Sequence, residues 1–333
     1  MQSPLAVLQR YPLHGSTLGG LLASRVREGT ARTLLWYEGR EIGYADFAHR
    51  VEAAAHALAA RGIGAGDRVG AMAGNSADYV VLLFALARLG AILVPVNPEF
   101  GPGEAGYILQ HAEVSAVAVV PAALETARAA VQPLTLPAWF FMLEGESEGV
   151  PRLDELIKAS PPHALPPEPA PEAICLMLYT SGTTGFPKGV MHSQRSFVMA
   201  GEGFVARMWL QPEDRLLCVL PMFHINALFY TIAGTFAAGA SVALMPRFSA
   251  SQFWNAAAAA GATQVNIIAA VGNILARRPR SEFDPEHRLR VVYGAPISPD
   301  LERVFREEFG VPMLIEGYGM TEIPGACNNP YDG

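Results

Sequence analysis

The stretch LYTSGTTGFPKGVMHS at residues 178–193 shapes how the rest of the chain is interpreted. An apolar run over 173–179 leads into a loop of hydroxyl residues and glycines that ends near Lys188. The loop fails the Walker A pattern, because Lys188 is followed by glycine, and the dinucleotide fingerprint, because position 184 is threonine. Glycines let a backbone approach an anion, hydroxyls donate hydrogen bonds and lysine adds charge. The loop therefore predicts a phosphate cradle, with an ordinary turn between a strand and a helix as the alternative.

The composition is that of an acidic, apolar, globular chain. Of 333 residues, 51% are hydrophobic and 17% are charged, with a net charge of −7 and a mean hydropathy of +0.23. This length allows two domains or one large lobed domain with a sizeable core. A nucleic-acid binder would carry a basic stripe, so no nucleic-acid partner is predicted. Lys158 and Lys188 are the two lysines, and one of them lies in the loop.

Cysteine usage and the N-terminus point to a reducing compartment. Cys175, Cys218 and Cys327 lie far apart, and the sequence has no Cys-x-x-Cys pair. This spacing predicts neither a disulfide framework nor a zinc site, and free thiols suit the cytoplasm. The first 15 residues show no basic segment followed by an apolar one, so no signal peptide is expected.

Residues 226–245 carry no charge over a length that could span a membrane. Gly234 and Gly239 interrupt the run, and polar residues are scattered through it. We therefore predict a buried helix, a turn near Gly239 and a buried strand. A membrane protein built around this segment is the alternative.

Candidate strands and helices alternate along the chain, which predicts an α/β fold with two lobes of largely parallel sheet covered by helices. Ser76 and Ser298 are predicted helix caps, and the Pro-rich segment 159–172 is predicted to be an exposed loop. The candidate strands are 67–73, 91–96, 116–120, 139–143, 173–179, 215–220, 241–245, 264–268, 289–294 and 312–316. The candidate helices are 77–89, 122–130, 194–208, 226–238, 250–260 and 298–309.

Three further stretches of small, aromatic and polar residues follow predicted strands. They are PMFHIN at 221–226, YGAP at 293–296 and EGYGMTE at 316–322. Ligands of open α/β sheets bind outside the carboxyl ends of the strands. Together with the loop at 180–189, these stretches are therefore the candidate binding segments.

Taken in order, YTSGTTGFPKG at 179–189 and YGMTE at 318–322 resemble the signature motifs of the adenylate-forming enzymes. This superfamily holds acyl-CoA synthetases, nonribosomal-peptide adenylation domains and luciferases. The segments LGAILVPVNP at 89–98, PMFHIN at 221–226 and GAP at 294–296 are also similar, so the resemblance runs from about Tyr44 to the end. It implies that residues 1–333 are the large N-terminal domain of such an enzyme, with approximate lobes at 60–205 and at 1–59 plus 206–333, and that the family's mobile C-terminal domain is absent.

The resemblance implies an ATP-dependent, AMP-forming acyl-CoA synthetase. In this family a carboxylate attacks the α-phosphate of ATP, with Mg²⁺ present, and the acyl group of the resulting acyl-AMP passes to CoA. The implied partners are a carboxylic acid, ATP and CoA, the implied setting is cytoplasmic, for example in fatty acid metabolism, and a homodimer is left open. The alternative is a nucleotide- or acyl-binding fragment without turnover, because the C-terminal domain is missing.

The resemblance also assigns roles to individual residues. The phosphate-binding set is Thr180, Ser181, Gly182, Thr183, Thr184, Gly185 and Lys188. The adenine-binding set is Gly294, Ala295, Pro296, Glu316, Gly317, Tyr318, Gly319 and Met320. The catalytic set is His224, Thr321 and Glu322, of which Glu322 also holds Mg²⁺. The acyl pocket is lined by Phe223, Asn226, Ala269, Ala270 and Gly272.

Two positions at which this sequence differs from members of the family narrow the class of acid. Amino-acid-activating relatives usually carry an aspartate where His224 stands, which argues against an amino-acid substrate. Residues 267–272 are small and apolar where the family more often has a Pro-Thr pair, which suggests room for a chain or a bulky acyl group. The segment 289–333 is similar to crotonobetaine/carnitine–CoA ligases, whose quaternary ammonium would need aromatic faces. The candidates for these faces are Phe223, Tyr230 and Trp254.

Overall fold

A computed structural model describes residues 1–28, 32–134, 138–160, 164–180 and 185–331. The chain divides into two units. The first unit comprises Met1–Pro12, Arg27–Gly43 and Val198–Gly333, and the second comprises Leu13–Val26 and Tyr44–Phe197. Each unit is described below by itself.

The strands and helices of the described residues have the following bounds. The strands are β1 (Thr33–Tyr37), β2 (Arg40–Gly43), β3 (Arg68–Met72), β4 (Ile92–Pro95), β5 (Ala116–Val119), β6 (Trp139–Met142), β7 (Ile174–Thr180), β8 (Lys188–Ser193), β9 (Arg215–Cys218), β10 (Ser241–Leu244), β11 (Gln264–Ile268), β12 (Val291–Ala295), β13 (Met313–Met320) and β14 (Ile323–Asn328). The α-helices are α1 (Pro4–Gln9), α2 (Leu18–Glu28), α3 (Tyr44–Ala59), α4 (Ala77–Leu89), α5 (Pro102–His111), α6 (Leu124–Val131), α7 (Leu153–Ala159), α8 (Gln194–Met208), α9 (Ala233–Ala238), α10 (Phe253–Ala259), α11 (Ala269–Arg277) and α12 (Pro299–Arg303). Asn226–Ile232 and Val304–Glu308 are π-helices, and Pro121–Ala123 and Arg280–Glu282 are 3₁₀ turns.

Both sheets are largely parallel, as predicted. The second unit holds a six-stranded sheet in the order β6-β5-β3-β4-β7-β8, in which β7 and β8 form the antiparallel pair. The first unit holds an eight-stranded sheet in the order β14-β13-β12-β11-β9-β10-β1-β2, with an antiparallel strand at each edge. Parallel strands are covered on both faces, which is why β4 and β5 are apolar and buried at every position. The predicted α/β fold class is confirmed.

The boundaries of the two units differ from the lobes expected from the sequence. Residues 1–59 were grouped with 206–333, whereas α3 belongs to the second unit. The reason is packing, because α3 lies against α4 and the Phe47 ring meets Phe84 edge-on, with centroids 5.5 Å apart. Sequence order gives no sign of this contact.

Capping residues at both ends determine where helix α4 begins and ends. The Ser76 hydroxyl accepts a hydrogen bond from the Tyr79 backbone N–H at 3.1 Å, and Gly90 ends the helix in the left-handed conformation with φ of 71°. Both are the cap signals expected from the sequence. Ser298 caps α12 in the same way, since its hydroxyl accepts from the Leu301 N–H at 3.2 Å. Both predicted caps are confirmed.

The uncharged segment 226–245 folds as predicted. A buried π-helix continues into α9, Gly239 makes the turn with φ of 64°, and the buried strand β10 follows. Among the residues that the structure describes, none of the helices combines the length and the apolar character needed to cross a membrane.

The turn at Gly239 provides a stability prediction. A Cβ at Gly239 would overlap the Tyr11 side chain, whose hydroxyl donates to the Ala238 carbonyl at 3.1 Å. Gly310 has a similar φ of 68° with no atom within 4 Å of its virtual Cβ, so it is a matched control. We expect Gly310→Ala to lower the free energy of unfolding by about 1 kcal/mol from backbone strain, and Gly239→Ala by about 3 kcal/mol because Tyr11 must also move. Denaturant unfolding measures both, and equal losses would contradict this account of Gly239.

Candidate functional site

The phosphate-cradle candidate is the turn of a β-hairpin in the second unit. Strands β7 and β8 pair antiparallel, with Thr180 opposite Lys188 and Tyr179 opposite Gly189. The segment 188–193, which we did not predict as a strand, runs back along β7 before α8 begins. Its extended form depends on backbone hydrogen bonds to β7, which its mixed sequence KGVMHS does not reveal. The alternative of an ordinary turn between a strand and a helix is therefore wrong in one respect, because strand β8 precedes α8.

Only some of the predicted phosphate-binding residues are among those that the structure describes. Ser181, Gly182, Thr183 and Thr184 lie outside the described residues. Among the others, Thr180 is half-buried at the end of β7, and Gly185 and Lys188 are exposed. Gly185 has φ of 147°, a conformation that favours glycine. The Lys188 ammonium, at the start of β8, therefore places a positive charge in solvent beside the turn.

An aromatic cluster that the sequence interpretation missed supports this hairpin. Phe186 is 74% exposed to solvent, yet its ring stacks on Tyr107 of α5, with centroids 5.0 Å apart. Tyr107 also stacks on His111, and the His111 Nδ1 lies 2.7 Å from the Tyr179 hydroxyl. Burial and the neighbouring Tyr107 raise the pKa of Tyr179 to about 12, so its hydroxyl stays protonated at neutral pH. The i, i+4 spacing of Tyr107 and His111 was the available signal.

A cavity lies next to this cluster within the second unit. Its volume is about 350 Å³, and its wall includes Phe100, Tyr107, Tyr179, Thr180 and Phe186. Four of its nine lining residues are aromatic, and Thr180 and Glu104 add polar groups to the wall. Phe186 and Pro187, just before β8, therefore lie beside an apolar surface of α5.

In the first unit, the structure brings the two parts of the adenine-binding set together. Strands β12 and β13 are parallel neighbours, with Gly294 in register with Glu316. The Glu316 carboxylate also accepts a hydrogen bond from the Ile297 N–H at 3.2 Å, which ties the loop after β12 to β13. Tyr318 is 56% exposed, so its ring has a face in solvent beside this loop. The adenine-binding role of these residues remains a prediction.

The motif YGMTE lies on a hairpin rather than on a loop after a strand. The strand predicted over 312–316 continues to Met320, because β14 pairs with its second half. Thr321, which is half-buried, and Glu322, which is exposed, form the turn. Within the described part of the chain, no group of three or more His, Cys, Asp or Glu side chains could hold a metal ion. A single carboxylate still fits Mg²⁺, which takes most of its ligands from water and phosphates.

The segment 221–226 follows β9 and leads into the π-helix. The His224 backbone N–H donates to the Pro221 carbonyl at 3.0 Å, and the Phe223 and His224 rings lie 4.7 Å apart. Partial burial of the imidazole lowers the pKa of His224, although its side chain still reaches solvent. His224 is therefore uncharged at neutral pH. The Asn226 Oδ1 is buried and has no hydrogen-bond partner among the described residues.

The predicted acyl-pocket residues are not all on one surface. Strand β11 ends at Ile268 in register with Ala295, and α11 begins at once with Ala269 and the exposed Ala270. Gly272 is buried, and a Cβ there would lie 2.6 Å from a Leu301 methyl group. Gly272 therefore packs towards α12 and does not share the exposed side of Ala270. Helix α11 was not predicted, because the run IIAAVG was interpreted as a pocket wall.

Two of the three aromatic side chains suggested to face a quaternary ammonium are buried against other aromatic rings. Trp254 is buried against Phe309 and Phe283, with centroids 4.5 Å and 5.0 Å away. Tyr230 is buried and stacks on Phe204. Phe223 is half-buried and remains the candidate aromatic face for a quaternary ammonium.

The sequence and the structure were compared with known proteins. Residues 22–333 match the family described as AMP-binding enzyme. The chain belongs to this family. The match confirms the resemblance to adenylate-forming enzymes that the motifs indicated.

Most of the similar curated proteins are named as CoA ligases. The sulfoacetate–CoA ligase of Cupriavidus necator is 32% identical over 319 residues, which cover 95% of this chain and 62% of that protein. The crotonobetaine/carnitine–CoA ligase of Salmonella paratyphi C is 30% identical over 289 residues, covering 85% and 56%. Among solved structures, ATP-bound MatB from Rhodopseudomonas palustris superposes with a TM-score of 0.82 at 25% identity, covering 95% of this chain and 62% of that one. The chain thus spans 62% or less of the length of these relatives.

Proposed function

We propose that this AMP-binding protein activates a carboxylic acid with ATP to form an acyl-adenylate and release pyrophosphate, after which the CoA thiol takes the acyl group and AMP leaves. The observation that carries the proposal is the register of β12 and β13, with Gly294 opposite Glu316. It sets the 294–296 loop beside the exposed Tyr318, with Thr321 and Glu322 at the turn that follows. The names of the relatives support ligation to CoA, and the ATP-bound neighbour supports ATP as the nucleotide.

The proposed chemistry explains the residue types. A carboxylate and a triphosphate repel each other, so catalysis depends on neutralising and positioning charge. Lys188 would contribute a positive charge and Thr180 a hydroxyl donor to the phosphates. Glu322 would hold Mg²⁺, which supplies further positive charge at the phosphate oxygens when bound. A neutral His224 would donate a hydrogen bond from its imidazole N–H to the carboxylate of the acid without forming an ion pair with it.

The acid is proposed as a class rather than as one compound. Ala269 is half-buried and Ala270 is exposed at the start of α11, and such small side chains would suit a bulky acyl group. His224 stands where amino-acid-activating relatives usually carry aspartate, which disfavours an amino acid. A cytoplasmic setting and a role in acyl metabolism belong to the same proposal. A second candidate function is nucleotide or acyl binding without turnover, because ligation to CoA is named only for whole relatives of which this chain spans 62% or less.

Mass spectrometry of reaction products tests the proposal. The chain is incubated with Mg-ATP and a pool of carboxylic acids that includes sulfoacetate and crotonobetaine, beside a version extended to the length of the curated relatives. An acyl-AMP peak from the chain establishes the reaction and identifies the acid. An acyl-AMP peak from the extended version alone supports the second candidate for this chain. Absence of acyl-AMP from both, together with absence of ATP binding in calorimetry, would contradict both candidates.

A further inference from the structure

The hairpin that carries Thr321 and Glu322 has three glycines where large side chains of the first unit approach it. A Cβ at Gly317 would overlap the Tyr293 hydroxyl, and a Cβ at Gly319 would overlap the Tyr230 hydroxyl. A Cβ at Gly325 would overlap the Arg207 guanidinium. Three bulky polar groups therefore press on the backbone of β13 and β14 at positions where no side chain would fit.

Both backbone polar groups of Gly325 are bound by two of these side chains. Its N–H donates to the Tyr230 hydroxyl oxygen at 2.7 Å, and its carbonyl accepts from Arg207 Nη2. The pairing of β13 with β14 shifts register between Tyr318 and Met320, opposite this part of β14. Side chains thus supply hydrogen bonds to Gly325 where the strand ladder is irregular.

Tyr230 itself has little freedom to move. Its ring stacks on Phe204 at 5.4 Å and meets Tyr293 nearly edge-on at 5.5 Å. Burial raises the pKa of both phenols, so Tyr230 and Tyr293 stay protonated at neutral pH.

The π-helix that carries Tyr230 is tied to the sheet by buried amides. The Asn266 amide donates to the Thr231 hydroxyl at 2.8 Å, and Gln264 donates to Asn266 at 2.5 Å. Gln264 and Asn266 are both buried on β11. A continuous set of contacts therefore runs from β11 through the π-helix to Gly325.

We propose that Tyr230, supported by Tyr293 and Arg207, is the positioning group that fixes the β13–β14 hairpin and thereby presents Thr321 and Glu322 for adenylate formation. The catalytic meaning of this inference rests on the proposed function. The restraint on the hairpin itself does not, because it can be measured on the chain without substrate.

The test replaces the Tyr230 hydroxyl and keeps its ring. Tyr230→Phe is compared with Tyr11→Phe, a matched control that removes a buried hydroxyl bonded to the Ala238 carbonyl of the same unit. Hydrogen–deuterium exchange of peptides covering 313–328 is expected to accelerate about 10-fold in Tyr230→Phe and not in the control. The kcat for acyl-adenylate formation is expected to fall about 10-fold, with KM for the acid changed less than about two-fold. Tyr293→Phe should give an intermediate effect on both.

Each outcome decides the proposal. Unchanged exchange in Tyr230→Phe overturns it whether or not the chain forms adenylate. Faster exchange with a kcat no lower than that of Tyr11→Phe overturns the positioning role. If the unmodified protein forms no acyl-adenylate, the proposed function fails and the catalytic meaning fails with it, while the exchange data still decide whether Tyr230 restrains the hairpin.

Discussion

Lys188→Ala is expected to lower the rate of acyl-adenylate formation about 100-fold, the usual effect of removing one charge-stabilising group from a reaction centre. The Lys188 side chain is exposed at the start of β8, opposite Thr180, and the hairpin turn lies between them. Its ammonium would offset the charge of the phosphates as the acid attacks. The rate is measured by pyrophosphate exchange at saturating acid.

The chain offers a matched control for this change. Lys158, the other lysine, is 75% exposed and pairs with Asp154 at 3.3 Å on α7. Lys158→Ala removes the same charge and the same side chain, and surface pairs of this kind contribute at most about 1 kcal/mol to stability. Lys188→Arg should restore part of the rate by restoring the charge. A rate in Lys188→Ala equal to that in Lys158→Ala would refute the phosphate role of Lys188.

Glu322→Gln is expected to lower the same rate about 100-fold at fixed Mg²⁺ and to move the Mg²⁺ requirement to higher concentration. Glutamine keeps the size of the side chain but lacks the negative charge that attracts the ion. Because Glu322 is exposed at the turn between β13 and β14, its replacement should leave the free energy of unfolding within about 0.5 kcal/mol of the starting value. Rates measured across a Mg²⁺ series check both the fall in rate and the shift in the Mg²⁺ requirement.

Glu286 is the matched acid for this experiment. It is exposed in the same unit, in the segment before β12. Glu286→Gln makes the same chemical change at a position with no predicted role, so its Mg²⁺ curve should overlay that of the unmodified protein. If the curve of Glu322→Gln overlays it as well, Glu322 does not hold the ion.

The elements that sequence predicted best are those whose information is local. Helix α8 was predicted over 194–208 and helix α4 over 77–89, and both have those bounds. In α4 the cap at Ser76 and the left-handed Gly90 act within one helical turn. The parallel strands were visible because burial on both faces requires continuous apolar runs.

Several of the elements that were not predicted from the sequence are defined by a partner strand. Strand β8 has a mixed sequence and is extended because β7 supplies its hydrogen bonds. Strand β14 exists because it pairs with β13, which also lengthens β13 to Met320. Helix α11 was not predicted, because a run of small apolar residues is compatible with a pocket wall as well as with a helix. Edge strands depend on pairing that a single-chain pattern does not encode.

By itself, the sequence determined the α/β class, the family and the segments that would carry chemistry, because apolar periodicity and two long motifs are properties of the chain order. Tertiary structure alone decided which residues share a surface. It placed Gly294 beside Glu316, turned Gly272 towards Leu301, and brought Tyr230 onto Gly325, which lies 95 positions along the chain. These contacts follow from strand register and side-chain packing, and both are fixed only when distant segments meet.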